Sequence, residues 1–165
     1  MTPNDLFEEE KFTVRRFSAR SALGFAELVE RLESRVHILD PNRGPEGPPD
    51  VNLLAARITQ LAEPSGFVIV AKIEHRLLEK MGRPGHSVQY AIGNPLVAAE
   101  ITARAIEGAL YAPFRLAIIA ADGESGSRIE FDDPADLMGS LGNAEVAAIG
   151  ETLSAKLKAL IRSLI

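Results

Sequence analysis

The sequence predicts an α+β domain, an antiparallel sheet of about five strands with helices covering one face. Three observations carry that expectation. Short segments alternate in polarity, most clearly "GFVIVAKIEH". Two longer segments repeat apolar residues at i, i+3, i+4 and i+7. The segments follow one another in the order β-α-(α)-β-β-α-β-β-α-α, with no internal repeat.

Residues 1–10 form an acidic lead, expected to be mobile, and residues 11–165 one domain. A chain of 165 residues, 46% hydrophobic, can bury a sufficient core without staples. The first strand is read in "KFTVRRFSA", where Phe12 and Val14 alternate with Thr13 and Arg15, with a bulge at Arg16-Phe17. Ser21 is placed to cap a helix from about Ala22 to Leu39, whose stripe is Phe25, Leu28, Val29, Leu32 and Val36. "DPNRGPEGPPD" breaks the pattern as a loop. Asp50 then caps "VNLLAARITQLAE", so residues 40–64 read as a helical insertion.

In "GFVIVAKIEH", period two puts Phe67, Ile69, Ala71, Ile73 and His75 on one face. Val68, Val70, Lys72 and Glu74 fall on the other. "HSVQYAIG" is the next strand, and a helix from Pro95 to about Glu107 follows it. "PFRLAIIAADGESGSRIEFDDP" reads as a hairpin turning at Asp122-Gly123 and Gly126. Asp133-Pro134 opens a short helix, and Asn143 caps the last one. That helix carries the stripe Val146, Ile149, Leu153, Leu157, Leu160 and Leu164. About 20 residues at 1.5 Å each span about 30 Å, enough to cross a small domain.

Composition narrows the function. There is no cysteine, hence no disulfide, thiolate nucleophile or cysteine metal site. Net charge is −5 with scattered basic residues, which disfavours nucleic-acid binding. No apolar run approaches the roughly 20 residues of a membrane span, and the start has no apolar core of a secretory signal, so a soluble cytoplasmic protein is expected. No dinucleotide, phosphate-loop or nucleophile-elbow motif is present, and no cofactor is expected.

The candidate site residues are His75, Asn94, Tyr111 and Arg115, with Gly93, Pro95 and Pro113 as structural motif positions. Glycine permits an unusual backbone angle, asparagine caps, and proline suits the first helical position. Those roles explain Gly93-Asn94-Pro95 without a ligand. The competing reading is that free N–H groups at this helix start bind an anion or a carbonyl. His75 is either a sheet-edge histidine or the polar lip of a pocket. A metal site from His75, His86 and Glu74 or Glu79 matches no ligand spacing. If the strands ending at His75 and Ile92 are antiparallel neighbours, His75 and Asn94 lie about 20 Å apart. Tyr111 and Arg115 are then the expected neighbours of Asn94.

Taken in order, "IEH", "YAIGNPLVAAEI", "ALYAPFRLAIIAADG" and "RIEFDDPADLMGSLGN" resemble the motifs of domain of unknown function family 302, a bacterial family. The likeness runs from about Phe12 to the final helix. It implies a β-α-β4-α arrangement, a curved sheet of the TATA-binding-protein-like kind, and a homodimer. The matching positions are His75, Gly93, Asn94, Pro95, Pro113 and Arg115, with Glu74 where an aspartate is commoner. It implies no catalytic activity. The leading expectation is a binding or interaction module for a small apolar or anionic ligand. The alternatives are a small hydrolase or isomerase with His75 as general base, and a structural homodimer subunit whose C-terminal stripe is the dimer surface.

Overall fold

Period-two alternation decides the sheet, and period 3.6 decides what covers it. The computed structural model describes residues 6–40, 50–121 and 126–165. Its strands are β1 (Arg16–Ser21), β2 (Val68–Glu74), β3 (Ser87–Gly93), β4 (Phe114–Ala120) and β5 (Ser127–Asp132). They form one antiparallel sheet in the order β1-β5-β4-β3-β2. The helices are α1 (Phe25–Arg35), α2 (Val51–Ala62), α3 (Leu77–Lys80), α4 (Pro95–Arg104), α5 (Pro134–Gly139) and α6 (Ala144–Leu164). A 3-10 segment covers Ile106–Leu110.

Val88, Tyr90 and Ile92 of β3, Leu116 and Ile118 of β4, and Ile129 of β5 are buried toward the helices. Leu28 and Leu32 of α1 and Val146, Leu153, Leu157 and Leu164 of α6 close the core from above. The opposite sheet face carries Arg16, Gln89, Arg115, Glu130 and Asp132. The C-terminal stripe is therefore core within one chain, not a dimer surface. Asp50, Asn94, Asp133 and Asn143 each cap a helix start with their side chains.

Three local expectations are corrected. β1 starts at Arg16, so Phe12 and Val14 precede it, and Phe17 and Ala19 turn toward the core. α1 starts at Phe25 with Gly24 as N-cap. Ser21 ends β1, where its hydroxyl accepts the Leu23 N–H at 3.1 Å. Residues 37–39 leave α1 and bridge to Ile69. α4 ends at Arg104, and the 3-10 segment completes the expected helix. The loop at 41–49 and the hairpin turn at Asp122-Gly123 lie outside the described residues.

β2 departs most from its expected phase. A bulge falls between Ile69 and Ala71. Beyond it, Lys72 stands opposite Tyr90 and Glu74 opposite Val88, on the helix side. Ala71, Ile73 and His75 turn to the open face. The extra residue, Val70, flips the alternation, so Phe67 and Ile69 no longer share a face with His75.

Candidate functional site

The Gly93-Asn94-Pro95 corner joins β3 to α4. Asn94 uses both ends of its amide. Its Oδ1 accepts the Leu96 N–H at 3.0 Å, and its Nδ2 donates to the Gly66 carbonyl at 3.2 Å. The corner is thereby tied to the turn that precedes β2. Gly93 does not take a left-handed backbone. What it supplies is close approach, since a Cβ there would stand 3.4 Å from Pro113 Cβ. Gly93, Asn94, Pro95 and Pro113 all line one cleft of about 250 Å³, closed by Val97 and Leu153. Asn94 is the one polar side chain among the described residues of that lining.

The other candidates lie elsewhere. β2 and β3 are antiparallel, and the His75 N–H donates to the Ser87 carbonyl at the start of β3. His75 therefore sits at the far end of the strands from Asn94. Arg115 stands opposite Ala91 on β4. Because Phe114 faces the cleft, alternation sends Arg115 to the open sheet face. There it shares a shallow depression with His75, Ser87 and Gln89. Tyr111 packs edge-on against Phe12, ring centroids 6.2 Å apart, and does not line the Asn94 cleft. The expected grouping of Asn94 with Tyr111 and Arg115 does not form.

A larger cleft of about 650 Å³ lies between α1 and the His75 end of β2 and β3. Along it runs a chain of polar groups that the bulge created. Tyr90 is fully buried, and its hydroxyl donates to Glu33 Oε1 at 2.6 Å. Lys72 Nζ lies 2.7 Å from the same oxygen and 3.4 Å from Glu74. Arg76 Nε lies 2.5 Å from Glu74. Partial burial pushes the Glu33 carboxyl up, but hydrogen bonds from Lys72 and Tyr90 outweigh it and hold it below the ordinary carboxylate value. The hydrogen bond to Glu33 raises the Lys72 ammonium. Burial, then the bond to Glu33, push the Tyr90 phenol far above its usual value. Lys72 and Tyr90 were read only as strand positions in the sequence. The missing signal was the bulge, which no turn residue marks.

Tyr90→Phe removes one donor to Glu33 and leaves Lys72 in place. A charge-assisted hydrogen bond carries about 1.5 kcal/mol or somewhat more. Thermal denaturation should show a loss of about 3–6 °C, at about 2–4 °C per kcal/mol for a chain of this size.

Among the described residues no side chain hydrogen-bonds the His75 ring, and its backbone N–H is held by the Ser87 carbonyl. His86 lies 3.7 Å from Glu79 and against the Phe25 ring. No group of three His, Asp or Glu side chains among the described residues could hold a metal ion. No helix among them is long and apolar enough to cross a membrane.

An open five-stranded antiparallel sheet, helices on one face and a Gly-Asn-Pro corner define a class of small α+β domain. The chain belongs to the family described as Domain of unknown function DUF302, whose family model matches residues 48–164, more than half of the sequence. It is similar to the crystal structure of an uncharacterized conserved DUF302 protein from Bacillus stearothermophilus, with a TM-score of 0.66 at 16% identity. That likeness covers 91% of this chain and 98% of the other, and it concerns the fold. No curated protein matches the chain.

Proposed function

We propose that the chain is a soluble, cytoplasmic, non-enzymatic binding module, working as a homodimer, that takes a small apolar ligand in the Asn94 cleft. One observation supports this above the others: Gly93, Asn94, Pro95 and Pro113, from the two ends of the connection between β3 and β4, line a single apolar cleft. Its volume of about 250 Å³ exceeds the roughly 150 Å³ of an engineered apolar cavity that takes up benzene. A single ring or a short acyl chain fits that scale. An anionic ligand has less support here, because Asn94 itself occupies the Leu96 N–H that an anion would use. In the larger cleft beside His75, Glu33, Lys72, Glu74 and Arg76 are already paired with one another.

The test is thermal denaturation of the purified chain with toluene, indole and short straight-chain alcohols. A ligand at about a hundredfold over its Kd adds about 2.7 kcal/mol, or roughly 5–10 °C here. Ala98→Trp, which places an indole in the cleft, should abolish the shift while keeping the far-UV circular dichroism of the parent. The reading fails if no probe raises the melting temperature, or if Ala98→Trp responds as the parent does.

A further inference from the structure

The geometry points to the free edge of β2 as the surface on which two copies of this chain pair, strand against antiparallel strand, about a two-fold axis through Ile73. This rests on the proposed dimeric state and names the surface that would make it.

β2 is an end strand of the sheet. The bond from the His75 N–H to the Ser87 carbonyl fixes which backbone groups face β3. In an antiparallel pair that set alternates, so Ala71, Ile73 and His75 turn their N–H and C=O toward β3. Lys72 and Glu74 turn theirs outward. Before the bulge the sense is reversed. Ile69 points outward, where it bonds the His37 carbonyl and the Leu39 N–H. The edge is thus covered at Ile69 and, among the described residues, unpaired from Ala71 to Glu74.

An unpaired edge invites another strand. Exposed apolar side chains stand along it: Ile73, Leu77 and Met81 are each more than half exposed, and Ile38 and Val70 flank the other end. Apolar side chains beside an open strand edge favour association.

Charge selects the occupant and the register. An antiparallel pair through this edge must set outward-facing residues opposite one another. Centring it on Lys72 or on Glu74 opposes like charges. Centring it on Ile73 sets Lys72 of each copy opposite Glu74 of the other, twice, by the same two-fold axis. A second copy is self-complementary there, which an isologous interface requires. The same register brings α3 of one copy level with the His37–Leu39 segment of the other, where Leu77 and Ile38 are the exposed apolar side chains.

Because the chain has no cysteine, single substitutions read the register directly. At the axis, Ile73 faces itself in a non-hydrogen-bonded pair, with Cα atoms about 4.5 Å apart. That lies inside the roughly 4.4–6.8 Å range of disulfides. Ile73→Cys, half exposed and so tolerant of substitution, should cross-link to a covalent dimer under mild oxidation. The yield should be about tenfold above that of Leu54→Cys, an exposed control on α2. Lys72→Cys mixed with Glu74→Cys should cross-link better than either alone. Light scattering on the parent separates the two levels. A monomer overturns both the dimeric reading and this interface. A dimer in which Ile73→Cys links no better than Leu54→Cys overturns the interface and leaves the dimer standing.

Discussion

Gly150→Val is expected to destabilise the protein by about 3 kcal/mol, near the top of the range for overpacking a core, and to lower its melting temperature by roughly 6–12 °C. Gly150 lies on α6 where α5 crosses it. A Cβ built there would stand 2.6 Å from Met138 Cβ and 3.0 Å from the Pro134 carbonyl oxygen. Neither neighbour can give way cheaply. Met138 is fully buried, and Pro134 opens α5. The added isopropyl group would have to push α5 off α6, and with it the Asp133 cap. Gly139 on α5 is the control. Nothing lies within 4 Å of a Cβ there, and its φ is not positive. Gly139→Ala should be neutral or stabilising by up to about 1 kcal/mol. Denaturant unfolding of both variants checks the contrast. Equal midpoints would mean that α5 and α6 do not pack as closely as this.

The difference between those two glycines was not legible in the sequence. "PADLMGSLG" gives Gly139 and Gly142 as breaks, which is a local property. Gly150 sits within a helical stripe, and only the crossing of two helices gives it a role. The same division runs through the whole chain. The α6 stripe, the four side-chain caps and the hairpin partners were readable because each depends on a few neighbouring residues. The β2 phase was not, because a bulge carries no composition of its own, and Val70 looks like any strand valine. That one residue moved Lys72 and Glu74 to the helix side, where they complete the Tyr90–Glu33 chain. It also separated His75 from the apolar residues it was read with. The opposite ends of β2 and β3 kept His75 and Asn94 apart, as antiparallel geometry required. Arg115 was grouped with Asn94 because both lie at the same end of neighbouring strands, although alternation puts Arg115 on the open sheet face and the Asn94 cleft on the other.

The second large effect is expected at Asp133, whose carboxylate is fully buried. Three elements meet on it. Its Oδ1 accepts the Ala135 N–H at 3.2 Å and caps α5. Its Oδ2 lies 3.1 Å from Lys158 Nζ of α6 and 3.0 Å from Arg15 before β1. Arg15 also grips Asp136 with two nitrogens, at 2.8 and 2.9 Å. Lys158 rests over the Phe17 ring at 4.1 Å. Burial alone would raise the Asp133 carboxyl, but hydrogen bonds from Ser154, the Ala135 N–H and Lys158 hold it below its usual value. The Arg15 guanidinium does the same for Asp136. Asp133→Ala removes the cap and leaves the partly exposed Lys158 without its carboxylate, so a loss of about 3 kcal/mol is expected, about 1 for the cap and about 2 for the hydrogen bond between charged groups. Asp133→Asn keeps a capping oxygen and loses only the charge, so it should cost less. The pH dependence separates charge from packing. A carboxylate with a depressed native value stabilises fully above its unfolded value, near 3.9, and the gain is lost as pH falls through the native value. Between those two values the unfolded state binds more protons than the native one, so stability falls as pH falls. The parent should lose melting temperature steeply below about pH 4. Asp133→Asn should start lower and fall less, because one depressed carboxylate fewer titrates between the two states, Asp136 and Glu33 remaining. If both proteins lose the same number of degrees between neutral pH and about pH 3, the Asp133 charge carries none of the linkage.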